Sequence, residues 1–222
     1  MKRVADGVER LGQFPRPLVN VYLAGDVLFD AATTWDRWRI TRQLKGRPLS
    51  LVALTHVHPD HQGLADLICR ERDIPLACHA DDVDYMEGRR EIQEGMEGMN
   101  PLLVRIQKSW TGPPHRVDRV LVEGDEVGGF RVVHAPGHAP GEVIYFRDSD
   151  RVAICGDVLR NISYATTLNG LREPPDIFTY DPAENRRSIR RLADLNPSVI
   201  LPGHGPEVTD MAAFESFVAG LD

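Results

Sequence analysis

Short apolar runs, broken by glycine, proline and acidic residues, set the pattern of this 222-residue chain. Val19-Asn20-Val21-Tyr22-Leu23 and Val27-Leu28-Phe29-Asp30 flank Ala24-Gly25-Asp26, which predicts a hairpin. Residues 1–30 as a whole read as strands. Further runs of strand length lie at 49–54, 75–78, 119–122, 130–133, 143–146, 152–155 and 199–201. The pair 143–146 and 152–155 closes around Asp148-Ser149-Asp150 as a second hairpin. Helical spacing appears at 35–45, with Trp35, Trp38 and Leu44 as apolar positions, the two tryptophans expected in the core, and Gly46 and Pro48 as the stop. It returns at 63–72, with Leu64, Leu67 and Ile68 inward, and at 101–110, with Leu102, Val104 and Ile106. Residues 182–195 follow Asp181 as N-cap and carry Pro182 in the first turn. Ile189 and Leu192 point inward there, and Arg186, Arg187, Arg190 and Arg191 form an outward, solvated face. Residues 211–218 predict a closing helix.

The ends of these runs carry the candidate chemistry. Residues 49–54 lead into Thr55-His56-Val57-His58-Pro59-Asp60-His61, three imidazoles and a carboxylate in six residues. Residues 130–133 lead to Pro136-Gly137-His138, residues 152–155 to Gly156-Asp157, and residues 199–201 to Pro202-Gly203-His204-Gly205. Five of the eight histidines fall at these places. Imidazole and carboxylate together suit divalent first-row metals, zinc and iron above all. His56 and His58, two apart, share a side of an extended strand end, and Pro59 bends the chain so that Asp60 and His61 aim elsewhere. Four candidate ligands in two pairs point to two metals side by side.

This set resembles the metallo-β-lactamase superfamily: His-x-His-x-Asp-His, then His, Asp and His in order, over about residues 19–204. The resemblance implies an α/β (α+β) fold, the four-layer αβ/βα sandwich, as one domain over residues 1–222 with a possible helical cap insertion at about 81–118. It implies His56, His58 and His138 on a first metal and Asp60, His61 and His204 on a second, with Asp157 bridging. The two divalent ions would be zinc first, with iron or manganese as substitutes. It implies a structural aspartate after the second strand, where Asp30 stands. The expected chemistry is hydrolysis of a small acyl substrate (thioester, lactone or ester) by a hydroxide bridging the metals, with Asp60 as the catalytic residue that orients it or shuttles a proton. The motif around His56 is similar to that of glyoxalase II, whose C-terminal glutathione-binding domain is not expected here. β-Lactamases with cysteine in the second metal site do not match, because Asp60 and His61 stand there. A mononuclear iron persulfide dioxygenase uses part of the same ligands and is the alternative. A non-catalytic metal-binding domain is a second alternative.

Composition narrows the partners. A formal charge of −7 without a Lys/Arg block argues against a nucleic-acid or anionic-membrane surface. No signal peptide or span-length apolar run is read, so a cytoplasmic location and a small-molecule substrate are expected, with a homodimer compatible. Three cysteines, Cys69, Cys78 and Cys155, show no metal-type spacing. Cys155 is expected as a small buried residue, His79 and His134 as structural, and His115 as surface. Tyr164, in the mixed aromatic and amide connection 158–181, is the expected substrate contact.

Overall fold

The computed structural model describes residues 1–12, 17–92 and 100–222. Its first half builds a seven-stranded sheet in sequence order: β1 (Lys2–Ala5), β2 (Val8–Arg10), β3 (Tyr22–Ala24), β4 (Val27–Phe29), β5 (Leu51–Ala53), β6 (Leu76–His79) and β7 (Arg119–Leu121). Strands β1 to β4 are antiparallel, and β4 to β7 are parallel. The turn between β3 and β4 holds Gly25 at φ 60°, a conformation glycine adopts without a Cβ clash. The second half contributes β8 (Glu126–Val127), β9 (Phe130–His134), β10 (Val143–Arg147), β11 (Val152–Gly156), the ribbon β12 (Arg160–Ile162) and β13 (Asn169–Arg172), and β14 (Val199–Pro202). Its main sheet has the order β14-β11-β10-β9-β8, with β14 parallel to β11 and the rest antiparallel. The helices are α1 (Arg37–Gln43), α2 (Pro59–Gln62), α3 (Ala65–Arg72), α4 (Val83–Met86), α5 (Pro101–Trp110), α6 (Pro182–Asp194) and α7 (Met211–Ala219).

The alternation of strand side chains sorts the apolar residues into three layers of core. Between the sheets lie Phe29, Ala53, Leu121, Phe130, Val132, Tyr145, Ile154 and Leu201. Outside the first sheet, Leu28, Val52 and Leu76 pack with Ile40, Leu64 and Ile68. Outside the second, Val133, Ile144, Ala153 and Ile200 pack with Ile189, Leu192 and Phe214. Helix, sheet, sheet, helix is therefore the order of layers, the αβ/βα sandwich expected. Parallel strands covered on both faces need apolar residues at every position, which is why β5 and its neighbours read as unbroken runs. The sheets are cross-braced by Phe29, whose ring sits 5.4 Å from Phe130 and 4.8 Å from Tyr145. Tyr145 Oη adds a bond to the Leu54 carbonyl at 2.7 Å, and Tyr22 Oη bonds to Pro202 O, also at 2.7 Å.

Several expectations need correction. Trp35 and Trp38 are not core: they are 68% and 71% exposed. Trp35 precedes the helix in a 3₁₀ turn, and Trp38 lies on the far face from the buried pair Ile40 and Leu44. The helix expected over 63–72 is present as α3 from Ala65, and a short helix that was not expected precedes it. Asp60 and His61 sit within the separate short helix α2, with Pro59 in its first turn, and α3 begins at Ala65. Gly63 between them has no room for a Cβ, which would lie 2.5 Å from Ala32 O. Residues 13–16 of the expected N-terminal strands and 93–99 of the expected cap lie outside the described residues. Among the described residues no helix is long and apolar enough to cross a membrane.

The two faces of α1 make opposite predictions. Ile40→Ala should cost about 2–5 kcal/mol, whereas Trp38→Ala should stay under about 1 kcal/mol. Urea unfolding followed by circular dichroism measures both, and equal costs would contradict this packing.

Candidate metal centre

Four strand ends converge at one rim of the sandwich. The loop after β5 carries His56 to His61, the loop after β9 carries His138, Asp157 follows β11 directly, and His204 follows β14 after Gly203. Buried carboxylates hold these loops by their backbone. Asp30 accepts the Thr55 N–H at 2.8 Å. Asp82 accepts the N–H groups of Val57 and Gly141, each at 2.8 Å, tying the first histidine loop to the His138 loop. Residues 17–20 clamp the fourth loop: Asn20 Nδ2 donates to Pro202 O and Gly205 O, each at 2.7 Å. Glycine is required where the loops touch. A Cβ on Gly203 would sit 2.3 Å from Asp157 Oδ1 and 2.6 Å from His61 Cε1.

The structure brings all seven sequence-predicted residues together. His56, His58 and His138 form one group of potential ligand atoms, and Asp60, His61 and His204 a second. A third grouping, His56, His61 and Asp157, joins them. Asp157 stands between, with Oδ1 3.5 Å from His61 Nε2 and Oδ2 3.6 Å from His138 Nε2 and 3.0 Å from His204 Nε2. His58 Nδ1 is 2.9 Å from His138 Nε2, and Asp60 Oδ2 is 3.3 Å from His204 Nε2. Yet His56 Nε2, His61 Nε2, His204 Nε2 and Asp157 Oδ1 are buried without a hydrogen bond among the described residues. Buried polar atoms left so cost about 1–3 kcal/mol each. Lone pairs converging from imidazole and carboxylate fit divalent cations.

A ring of outer contacts aims the imidazoles. His61 Nδ1 is 2.9 Å from Asp30 Oδ2. His56 Nδ1 is 3.2 Å from Glu142 Oε2, His138 Nδ1 is 3.3 Å from Thr179 Oγ1, and His204 Nδ1 contacts the Leu18 carbonyl. Each contact holds Nδ1 outward and turns Nε2 to the centre; His58 alone presents Nδ1 inward. Such partners fix tautomer and ring orientation. Glu142 is the residue that sequence reasoning missed. It is fully buried, and its Oε1 accepts the Asp157 N–H at 2.9 Å. Its only trace in the sequence is an acidic residue directly before the apolar run 143–146.

A model of the metallo-β-lactamase superfamily matches residues 15–204. The chain belongs to this superfamily. It is 28% identical over 203 residues to the probable metallo-hydrolase YflN of Bacillus subtilis, covering 82% of this chain and 76% of that one. Among solved structures it resembles the metallo-β-lactamase family protein TTHA1429 of Thermus thermophilus, with TM-score 0.69 and 25% identity over 97% of this chain and 79% of that one. It also resembles TTHA1623 in a di-iron-bound form, with TM-score 0.64 and 28% identity over 86% of this chain and 89% of that one. Membership of the metallo-β-lactamase superfamily implies divalent metal ions, and the donor set described above fits them.

The two groups of this metallo-β-lactamase relative differ electrostatically. Burial pulls the His58 imidazole down to about 3 and that of His138 to about 4, and pulls His56 well down too. These rings are neutral at pH 7. Burial also opposes charge on His61 and His204, but carboxylates outweigh it: Asp30 first for His61, Asp157 first for His204, which rises to about 10. Burial would raise Asp60 and Asp157, yet His61 and His204 hold both well below the usual carboxylate range. In the metal-free protein, protons on His61 and His204 therefore supply the positive charge between these carboxylates.

Other expectations resolve as follows. Cys155 is fully buried in the outer layer. His79 caps the turn at Ala80–Asp82, accepting the Asp81 N–H, and stacks on His134 at 3.9 Å. These two and Asp81 make a fourth group of potential ligand atoms. His115 is not free surface: its Nδ1 lies 3.0 Å from Asp66 Oδ1. The arginine face of α6 is largely paired, with Arg186 to Glu173 and Arg191 to Glu123, each at 2.8 Å. Tyr164 lies with its ring 5.3 Å from that of His204, on the wall of a cavity of about 580 Å³ that reaches His58, Asp60, His138 and Asp157.

Two outcomes follow. Asn fits the positive φ of Asp30 (63°), so Asp30→Asn should leave the fold intact while weakening metal affinity about 10- to 100-fold, read by chelator competition. Because His61 and His204 must lose protons to bind metal, loading the metal-free protein at pH 7 should release about two protons per chain. Calorimetry in buffers of different ionisation enthalpy measures this; zero release would contradict the assignment.

Proposed function

We propose that this chain is a dinuclear metal-dependent hydrolase of a small acyl substrate, with thioesters, lactones and simple esters ahead of amides. The observation that carries the reading is the placement of two ligand groups 3.0–3.6 Å across Asp157, at the floor of a cavity sized for a small molecule. The description of YflN as a probable metallo-hydrolase supports it. We assign His56, His58 and His138 to one ion, Asp60, His61 and His204 to the other, and Asp157 to both. Zinc suits tetrahedral nitrogen and oxygen sets, and the di-iron form of TTHA1623 makes iron the first substitute.

Bound there, the ions would lower the pKa of a water toward neutrality and polarise a carbonyl oxygen. The chain supplies the rest. Asp60, a carboxylate on the cavity wall, accepts a proton from the attacking water. The water oxygen joins the acyl carbon, the carbon–oxygen or carbon–sulfur bond breaks, and the departing group takes up a proton. The contacts from Asp30, Glu142, Thr179 and Leu18 keep the rings from turning as charge shifts. Trp110 and Gln107 of α5 line the cavity, which supports reading α5 as part of a cap.

Asp60→Asn should lower kcat/KM on the best ester or thioester by about 10²–10⁴-fold. A panel of esters, thioesters and lactones assayed with the metal-loaded protein checks this. Inactivity of the wild-type chain across the panel would favour the non-catalytic reading.

A further inference from the structure

The cavity over the ligand groups has an uneven wall. Trp35 and Trp110 meet edge to face, centroids 5.9 Å apart at 82°. Phe178 and Tyr164, from the connection between Asp157 and α6, add further aromatic surface. The charged side chains of the wall other than histidine are all carboxylates, Asp36, Asp60 and Asp157, and no lysine or arginine lines the cavity among the described residues. The nearby Arg160 is committed elsewhere. Its guanidinium lies 4.5 Å from the Tyr164 ring centroid, and its Nε and Nη1 donate to Glu173 O at 3.0 Å and Ile162 O at 2.7 Å. Arg160 thus lies against the tyrosine ring, and its Nε and Nη1 are already engaged.

We infer that this cavity selects substrates carrying an uncharged, extended alkyl or aryl arm, and discriminates against arms that end in a carboxylate. The substrate class rests on the hydrolase reading above; the arm preference does not need turnover. Aromatic surface that loses water to an alkyl or aryl arm gains free energy roughly in proportion to area. Beside Trp35 and Trp110 the wall offers an anionic terminus only Asp36 among the described residues, a carboxylate of the same sign, and no lysine or arginine, so an arm lying there would lose water from its charge without compensation. The volume of about 580 Å³ leaves room for an arm beyond the reacting carbonyl.

The test is a binding series on the full chain. Linear methyl ketones of four to ten carbons present an uncharged carbonyl that cannot be hydrolysed, and the matching ω-carboxylates present the charged arm. Two of the chain's three tryptophans are on the wall, so tryptophan fluorescence reports occupancy; Trp38→Phe removes the background from outside the cavity. Kd should fall about fourfold per added methylene, and the ω-carboxylates should bind at least about tenfold more weakly. Trp110→Ala should flatten the chain-length slope, and the exposed Trp35 gives a second variant, Trp35→Ala, should the first fail to fold. Kd values independent of length, or carboxylates that bind as tightly as ketones, would overturn the inference. A parallel series of esters separates the two readings. Graded ketone binding without hydrolysis sinks the hydrolase and keeps the arm preference; hydrolysis without any dependence on length does the reverse.

Discussion

Five imidazoles and two carboxylates crowded into one buried space are unstable unless each charge and lone pair is answered. The architecture follows from that constraint. Each of four rings is held by a contact at Nδ1, and the four contacts come from four different parts of the chain: Asp30 after β4, Glu142 before β10, Thr179 before α6 and Leu18 before β3. None of these partners is adjacent in sequence to the ring it holds, except that the Thr55 hydroxyl also reaches its neighbour His56 at 3.1 Å. The centre therefore exists only when both sheets are assembled and docked.

The apolar layers make that docking rigid. Phe29, Phe130 and Tyr145 lock the sheets face to face, and the hydroxyls of Tyr145 and Tyr22 bond to carbonyls just ahead of the first and fourth ligand loops. Side chains presented from rigid strand ends keep the precision that binding a small ion demands. The outer helices contribute differently. Helix α6 supports the His138 loop through Ser188 Oγ, which donates to Pro136 O at 2.6 Å, while α5 stands over the cavity and brings Trp110 to its wall.

Much of this was legible in the residues because strand and ligand signals coincide: an apolar run, a glycine or proline break, then histidine or aspartate. Local patterns of that kind give the strands and the seven central residues, while the four-layer arrangement came from the family resemblance. What failed was of two sorts. Trp35 and Trp38 were misread because an aromatic at helical spacing carries no mark of which face is covered; the buried face is that of Ile40 and Leu44. Glu142 was missed, and the partners Thr179 and the Leu18 carbonyl were out of reach, because their roles arise from pairing between distant segments. Asp30 was the exception, recognised through the resemblance and not through any local pattern. The short helix α2 before Gly63 was hidden as well, since Gly63 is set by the backbone of Ala32 and Thr33 pressing against it.

The central claim is that two ligand groups, joined by Asp157, hold two metal ions. Elemental analysis of metal per chain, on wild type and on His204→Ala purified without added metal, tests it most directly. The account predicts close to two ions per chain in the wild type and close to one in the variant, because His204 belongs to the second group alone. A single ion in the wild type, unchanged in the variant, would contradict it.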